Sequence, residues 1–331
     1  MSCEKVSYVV VSYNSEKYLE KCLDSILSQS HKFHEIIIVD NNSIDNTLSI
    51  AGRFCNIDEK IELISNNTNE GFATAIIQGV SKSSGEYVAI LNADVYLDPQ
   101  WCSFLLESFS KDDKIVSASG NVLLPDGSLQ SAGGMMDKYG AVIQRGSSLY
   151  ESLNLEKNFP IFYNDGSSFI LRKKLFESIG LDTKLFLYYE DVDLSWKINM
   201  FGYKISHVSK AISYHDVGHS FYDINPRKFY FIIKNRLYLC QKNYSLSTQM
   251  RRLPVIFFLI LIDAIIYDIF KPQKGFIIQF LRAIKWNISN LKYIVKEQKK
   301  LNAKRILTDD QIDANLIPKS IELSIITKKL G

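Results

Sequence analysis

Glu86-Tyr87-Val88-Ala89-Ile90-Leu91-Asn92-Ala93-Asp94-Val95 is a short apolar run that ends abruptly in an amide and a carboxylate. About five apolar residues, with Gly85 before them and Asp98-Pro99 after, have the length of a strand covered on both faces and not that of a helix. In open α/β sheets ligands collect just beyond the carboxyl ends of such strands, so Asp94 stands where a ligand would sit. A partly desolvated carboxylate there needs a cationic partner or serves as a hard ligand for a divalent metal. No Lys or Arg lies close to it in the local sequence. The competing structural reading has Asp94 and Asp98 merely beginning a turn and capping the helix expected from about Pro99.

Working outward, the same pattern recurs upstream. Val6 to Ser12 is β-branched and apolar and leads into Tyr13-Asn14, after which Tyr18, Leu19, Cys22, Leu23, Ile26 and Leu27 recur at helical spacing. Ile36 to Val39 forms a second buried strand ending in Asp40, followed by the turn-rich loop Asn41-Asn42-Ser43-Ile44-Asp45-Asn46. Ile61 to Ile64 is a third strand, Asn66 to Gly71 a third polar loop, and Ala73 to Val80 a helix. Four strands alternating with helices predict a doubly wound α/β sheet. Right-handed crossovers then align Tyr13, Asp40 and Asp94 along one edge. Neither G-x-G-x-x-G nor G-x-x-x-x-G-K-[ST] occurs, so dinucleotide and P-loop readings lack their phosphate-binding turns.

Beyond Val116 the order loosens. Asn121 to Leu124 reads as a strand, Ser131 to Ser148 as a loop or hairpin near the site, and Phe169 to Arg172 as another strand after Asn164-Asp165-Gly166-Ser167. Leu194, Ile198 and Phe201 mark one face of a helix that Gly202 ends, so Glu190, Asp191 and Asp193 lie at its N-terminus. Stabilisation by the helix dipole, about 0.3–1 kcal/mol each, would suffice to explain three acids there. Tyr203 to Val208 and Ala211 to Tyr214 read as two strands, and His215 follows them.

The 331 residues allow one large domain with an appendage, or two domains, and 46% apolar with 23% charged residues is ordinary for a globular chain. Charge is unevenly spread: residues 271–305 hold ten Lys or Arg and one acid, a local +9, which leaves −6 for the remainder of a chain whose total is +3. Five scattered cysteines without a C-x-x-C pair point to reduced thiols. The N-terminus shows no signal-peptide core, which implies the cytoplasm or the cytoplasmic face of a membrane.

Leu253 to Phe270 is almost entirely apolar and about the length needed to cross a bilayer, but it contains Pro254, Asp263 and Asp268, which favours lying on the interface. After it, Ile277, Leu281, Ile284, Ile288, Leu291 and Val295 form an apolar stripe, with Arg282, Lys285, Lys292 and Lys296 off it. That pattern suits an anionic membrane surface. The alternatives are a helical subdomain packed on the body and a homodimer through these helices. Nucleic acid is disfavoured, because the basic residues alternate with aliphatics and not with stacking aromatics.

Together these features resemble the family 2 glycosyltransferases, in particular a rhamnosyltransferase-like branch. The carriers are Val10-Val11-Ser12-Tyr13-Asn14, Ile38-Val39-Asp40-Asn41-Asn42-Ser43-Ile44-Asp45, Asn69-Glu70-Gly71-Phe72-Ala73, Leu91-Asn92-Ala93-Asp94, Tyr189-Glu190-Asp191-Val192-Asp193-Leu194 and Lys234-Asn235-Arg236. The resemblance implies a GT-A (Rossmann-like) α/β fold: a mixed, mainly parallel sheet flanked by helices, plus a C-terminal helical appendage. It implies a catalytic domain over residues 1–245, with a nucleotide-sugar half (1–120) and an acceptor half (121–245), before a basic region, 246–331.

By the same resemblance Ser12, Tyr13, Asn14, Asp40, Asn42, Asp45, Gly71, Phe72, Asn92, Ala93 and Asp94 would bind the nucleotide sugar. Asn92-Ala93-Asp94 matches a D-x-D motif with its first Asp replaced, so that a divalent metal (Mg²⁺ or Mn²⁺) would rest on Asp94 with His215. Asp191 would be the general base, Glu190 an orienting neighbour, and Asp165 and Gly166 would shape the acceptor and donor-sugar pocket. The implied activity is inverting transfer from a UDP- or dTDP-sugar to a hydroxyl of a glycan or polyprenyl-linked acceptor in polysaccharide synthesis. Two other classes compete: a nucleotidyltransferase that makes nucleotide sugars, which would need an early Gly-rich, cationic loop, and a catalytically silent glycan-binding scaffold.

Overall fold

A computed structural model describes residues 4–153, 160–216 and 224–330. Its first part alternates strictly: β1 (Val6–Ser12), α1 (Leu19–Leu27), β2 (Glu35–Asp40), α2 (Thr47–Ile57), β3 (Ile61–Ser65), α3 (Phe72–Lys82) and β4 (Tyr87–Asn92). There follow β5 (Val95–Leu97), α4 (Trp101–Phe109), β6 (Ile115–Leu123), β7 (Leu129–Ser131), β8 (Gly134–Met136), β9 (Val142–Gln144), α5 (Ser148–Ser152), β10 (Ser168–Arg172), α6 (Lys173–Ile179), α7 (Glu190–Met200) and β11 (Lys204–His215). Helices complete the chain: α8 (Pro226–Asn243), α9 (Leu246–Phe270), α10 (Phe276–Ser289), α11 (Leu291–Asn302), α12 (Asp309–Asp313) and α13 (Ile321–Leu330).

One sheet runs β3-β2-β1-β4-β10-β6-β11-β5, with β7 alongside β6. Its first four strands are parallel, whereas β10 pairs antiparallel with both β4 and β6. Strand alternation explains the burial. Tyr8, Val10, Ile36, Ile38 and Leu91 face α1, α2 and α4, and Val9, Val11, Ile37, Val39 and Ile90 face α3, α6 and α7. With both faces covered, these strands read as unbroken apolar runs.

The second half departs from the sequence reading in two places, β6 and β11. β6 begins at Ile115, ahead of the strand expected at Asn121. The two segments expected on either side of residues 209 and 210 are one strand, β11, with an irregularity between Val208 and Ile212 that breaks the pattern. On α10 the buried side is Phe276, Phe280, Ala283 and Asn287, so the stripe through Ile277, Leu281 and Ile288 faces outward. The expected hairpin is β8 with β9. No disulfide joins the four described cysteines.

The helices after residue 245 share a core with the body. Trp196 of α7 and Leu237 and Tyr238 of α8 pack with Ile256, Ile260, Phe280, Ile294 and Ile312. Buried ion pairs reinforce that contact: Arg236 grips Glu322 of α13 with both guanidinium nitrogens. Removing one partner of such a pair strands the other charge in the interior.

Candidate active site

The carboxyl ends of β1, β2 and β4 lie side by side, because Ser12 pairs in register with Asp40 and Val11 with Asn92. Asp40 is fully buried and organises the loop above it. Its Oδ1 accepts from Ser12 Oγ (3.0 Å) and Ser43 Oγ (2.5 Å), and its Oδ2 from Ser43 N–H (2.8 Å). Asn14 and Asn42 take left-handed backbone conformations (φ 50° and 65°), which Asn tolerates better than most residues. Asn14 Oδ1 accepts from Ile44 N–H (2.9 Å), which ties the two loops together. Asp45 spends its oxygens on Thr47 N–H (3.0 Å) and Glu16 N–H (3.1 Å); burial works against it, but these bonds hold its carboxyl below the usual range.

In front of these strand ends is a cavity of about 430 Å³ whose walls include Ser12, Tyr13, Gly71, Phe72, Asn92, Ala93 and Asp94. Asn14, Asp40, Asn42 and Asp45 do not line it; they shape the loop at its rim. Two cations also line it, Arg227 and Lys228, from the first turn of α8. The local sequence around Asp94 offers no cation, and these come from more than 130 positions away, so no spacing could reveal them.

His215 reaches Asp94 through an antiparallel pairing at the sheet edge. β11 pairs with β5 so that His215 lies opposite Val95, and Asp216 N–H donates to Asp94 O at 2.9 Å. The imidazole Nε2 is then 3.2 Å from Asp94 Oδ1. That oxygen and Asn92 Oδ1 are buried without a hydrogen-bond partner. On the far side of the ring, Gln130 Nε2 lies 3.2 Å from His215 Nδ1, and Gln130 Oε1 has no hydrogen-bond partner. Rotating that amide by half a turn lets Nδ1–H donate to Oε1 and leaves the Nε2 lone pair towards Asp94, the hydrogen bond that orients a metal-ligating histidine. Among the described residues no third His, Cys, Asp or Glu joins this pair. A carboxylate, an imidazole and an amide oxygen nonetheless fit a cation that takes its remaining ligands from substrate phosphates, as Mg²⁺ commonly does.

The carboxylates expected to be catalytic, Glu190 and Asp191, arrive from α7. β10 runs antiparallel to β4 with Ser168 opposite Leu91, and Ser167 O accepts from Asn92 N–H (3.0 Å), which sets residues 165–167 beside the β4 end. Gly166 N–H donates to Asp191 Oδ2 (3.1 Å), and Val192 N–H to Oδ1 (2.8 Å). A Cβ on Gly166 would lie 2.9 Å from that Oδ2, so any larger residue there must push the Asp191 carboxylate aside. Asp165 is held by Ser167 and by Gln144 Nε2 (2.9 Å). Burial, and then the charge of Asp165, push the Asp191 carboxyl above the ordinary carboxylate range. Burial, and then Asp191, do the same for Glu190, whose Oε2 has no hydrogen-bond partner. Their neighbour Asp193 differs: burial raises it, but Lys197 and Lys242, each at 2.7 Å, outweigh that and keep it ionised. Three acids on one helix end thus divide into two facing a cavity and one locked in a structural ion pair.

The loop before α7 is strained. Phe186, Tyr188 and Tyr189 all have positive φ (62°, 65° and 71°), each unfavourable for a bulky residue. Asn235, buried on α8, directs its Nδ2 at the carbonyls of Leu185 (3.0 Å), Leu187 (2.9 Å) and Tyr188 (2.6 Å). Phe72 N–H donates to Phe186 O (2.7 Å), and a Cβ on Gly71 would lie 2.6 Å from that oxygen. This loop therefore links the Gly71-Phe72 turn to the start of α7, where Asp191 sits.

Asp165, Gly166, Glu190, Asp191 and His215 line a second cavity of about 520 Å³. Phe72, Asn92, Leu187, Tyr188 and Lys228 line both cavities, so the two share a wall. The second cavity is also lined by Ile224, Phe229 and Ile232, and from α9 by Asp263, Ile266 and Tyr267.

Known proteins share this family and this fold. The model of "Glycosyl transferase family 2" matches residues 7–180. The poly-beta-1,6-N-acetyl-D-glucosamine synthase of Staphylococcus epidermidis is 28% identical over 214 residues, which cover 63% of this chain and 49% of that protein. An uncharacterized glycosyltransferase of Haemophilus influenzae is 34% identical over 122 residues, 37% of this chain and 38% of the other. The chain thus spans half or less of the length of these relatives. Among solved structures, GalNAc-T7 with UDP, GalNAc and Mn²⁺ superposes with a TM-score of 0.61 at 17% identity, over 87% of this chain and 58% of the other. Staphylococcus aureus TarS residues 1–349 gives 0.56 at 17%, over 98% and 91%. The mannosyltransferase PcManGT of Pyrobaculum calidifontis with GDP-Man and Mn²⁺ gives 0.55 at 16%, over 91% and 85%. At such identities the likeness establishes the fold, the GT-A arrangement.

Proposed function

The chain belongs to glycosyl transferase family 2, and from that premise we propose that it moves a sugar, with inversion, from a nucleoside diphosphate donor to a hydroxyl of a glycan or lipid-linked acceptor. UDP- and dTDP-sugars are the donors favoured, within a rhamnosyltransferase-like branch, and the product would serve polysaccharide or glycoconjugate synthesis at the cytoplasmic face of the membrane. The observation that carries this reading is the shared wall: the cavity bearing Asp94, Arg227 and Lys228 adjoins the one bearing Asp191.

In this mechanism the nucleotide lies across the ends of β1, β2 and β4, with Tyr13 and the Asp40 loop at the base. The diphosphate meets Arg227 and Lys228. The acceptor hydroxyl enters the second cavity and gives its proton to a carboxylate oxygen of Asp191 as its oxygen attacks the anomeric carbon. The bond from that carbon to the diphosphate breaks on the opposite face, and its electron pair leaves on the diphosphate, whose added charge the two cations offset. An alcohol is a weak nucleophile, so the proton must move as attack proceeds, and a base near neutral pKa suits that task best. Asp94 and His215, with Asn92 Oδ1, would hold a divalent cation. When bound it would lower the cost of charge on the leaving diphosphate. Mn²⁺ in two of the structural neighbours supports that assignment.

The test is to incubate the protein with UDP-, dTDP- and GDP-sugars and Mn²⁺ and to measure nucleoside diphosphate release. Turnover of one donor that Asp191→Asn abolishes supports the reading. Pyrophosphate exchange with a nucleoside triphosphate would support a nucleotidyltransferase in its place, and saturable glycan binding without turnover a silent scaffold.

A further inference from the structure

Large apolar side chains are seldom exposed in contiguous patches on soluble proteins, and such patches mark contact surfaces. Of the twenty exposed among the described residues, ten lie between Phe258 and Val295, on α9, α10 and α11. These three helices all pack on α8, and α10 packs against both α9 and α11. Exposed on them are Phe258, Ile269 and Phe270 of α9 and Ile278, Leu281 and Ile288 of α10. Interleaved are the exposed cations Arg282, Lys285, Lys292 and Lys296.

The acids of the three helices do not oppose this face. Asp263 lines the second cavity. Asp268 accepts from the amides of Gly275, Phe276 and Ile277 at the start of α10, and Glu297 pairs with Lys300 at 2.6 Å. α9 is long and apolar enough to cross a membrane by length and composition, but it buries Ile256, Leu259, Ile260 and Ala264 in the protein, which leaves one face for lipid. A second copy of the chain docked here about a twofold axis would set the four cations against their own equivalents. An anionic bilayer matches both the charge and the apolar surface.

We propose that the outer face of α9–α11 docks on an anionic phospholipid surface, with α9 as the wall between the bilayer and the second cavity. One helix, about 10 Å thick, then separates lipid in contact with Phe258 and Ile269 from the cavity lined by Ile266 and Tyr267. An acceptor anchored in that leaflet has its hydroxyl delivered towards Asp191 without leaving the membrane. The docking stands without the transferase reading; the role of the cavity rests on it.

The experiment is co-sedimentation of the full chain with vesicles of phosphatidylcholine, alone or with phosphatidylglycerol. The wild type is expected to bind the anionic vesicles. Arg282→Gln/Lys285→Gln/Lys292→Gln/Lys296→Gln should lower that affinity about 100-fold or more. Leu281→Ser/Ile288→Ser should lower it as well, and both variants should keep the wild-type circular dichroism. Absence of wild-type binding, or equal binding by the variants, overturns the proposal. So does a wild-type dimer that Leu281→Ser/Ile288→Ser dissociates while vesicle binding is unchanged. Failure of every nucleotide sugar to turn over, with vesicle binding intact, refutes the transferase reading and leaves the docking face in place.

Discussion

Replacing Asp191 by Asn separates the chemical role of this carboxylate from its structural cost. Asp191 holds two backbone N–H groups, Gly166 at 3.1 Å and Val192 at 2.8 Å. Asn retains one acceptor oxygen, so one of those bonds is lost, at about 1 kcal/mol and independently of pH. The second effect depends on pH. Burial and Asp165 raise the folded-state pKa of Asp191 above its unfolded value. The folded wild type therefore keeps a proton that the unfolded chain has released, and its stability falls as pH rises through the window between the two values. Each unit of that shift costs about 1.4 kcal/mol above the window. Asn carries no such penalty. Thermal melts should show the variant gaining on the wild type between pH 4 and pH 8, while donor turnover at pH 8 falls by about 10²–10⁴-fold with donor affinity nearly unchanged. Equal turnover would remove Asp191 as the base, and a difference in Tm that does not change with pH would refute the account of its burial.

Substitutions at four further positions test the rest of the site. Gly166→Ala puts a methyl 2.9 Å from Asp191 Oδ2; we expect at least about a tenfold loss of turnover in a folded protein, read by steady-state kinetics, because small displacements of a catalytic group are costly. Asn235→Ala removes the contacts to three carbonyls of the strained loop and should lower stability by about 2–3 kcal/mol in urea melts, with a fall in turnover that Asn235→Gln does not restore. Asp94→Ala and His215→Ala should each weaken Mn²⁺-dependent nucleotide binding by about 10-fold or more in calorimetry, with metal-free binding spared.

The parallel half of the sheet was legible in the sequence because buried parallel strands are unbroken apolar runs, and each ends in a polar loop whose position the topology dictates. Asp40, Asn92 and Asp94 needed no more than that. The residues that surround them came from pairings that no local pattern encodes: Gln130 behind His215, Arg227 and Lys228 across the cavity, and the Asn235 amide beneath the 185–188 carbonyls. Glu190, Asp191 and Asp193 look alike in sequence, since only Lys197 and Lys242 distinguish the structural acid from the other two. α10 is apolar on two sides, Phe276 with Phe280 and Ile277 with Leu281, and periodicity cannot say which side packs. The structure packs the aromatic side and exposes the stripe. Because α9 to α12 also complete the core around Trp196, that surface is best probed by substitution and not by truncation.

A crystal structure of the protein with Mn²⁺ and the nucleoside diphosphate of its best donor probes the convergence of both cavities on one reaction centre. The account predicts the ion on Asp94 and His215, the diphosphate against Arg227 and Lys228, and the Asp191 carboxylate facing the terminal phosphate across the wall formed by Asn92 and Tyr188. A nucleotide bound elsewhere, or an ion remote from Asp94 with Asp191 turned away from the diphosphate, would contradict it.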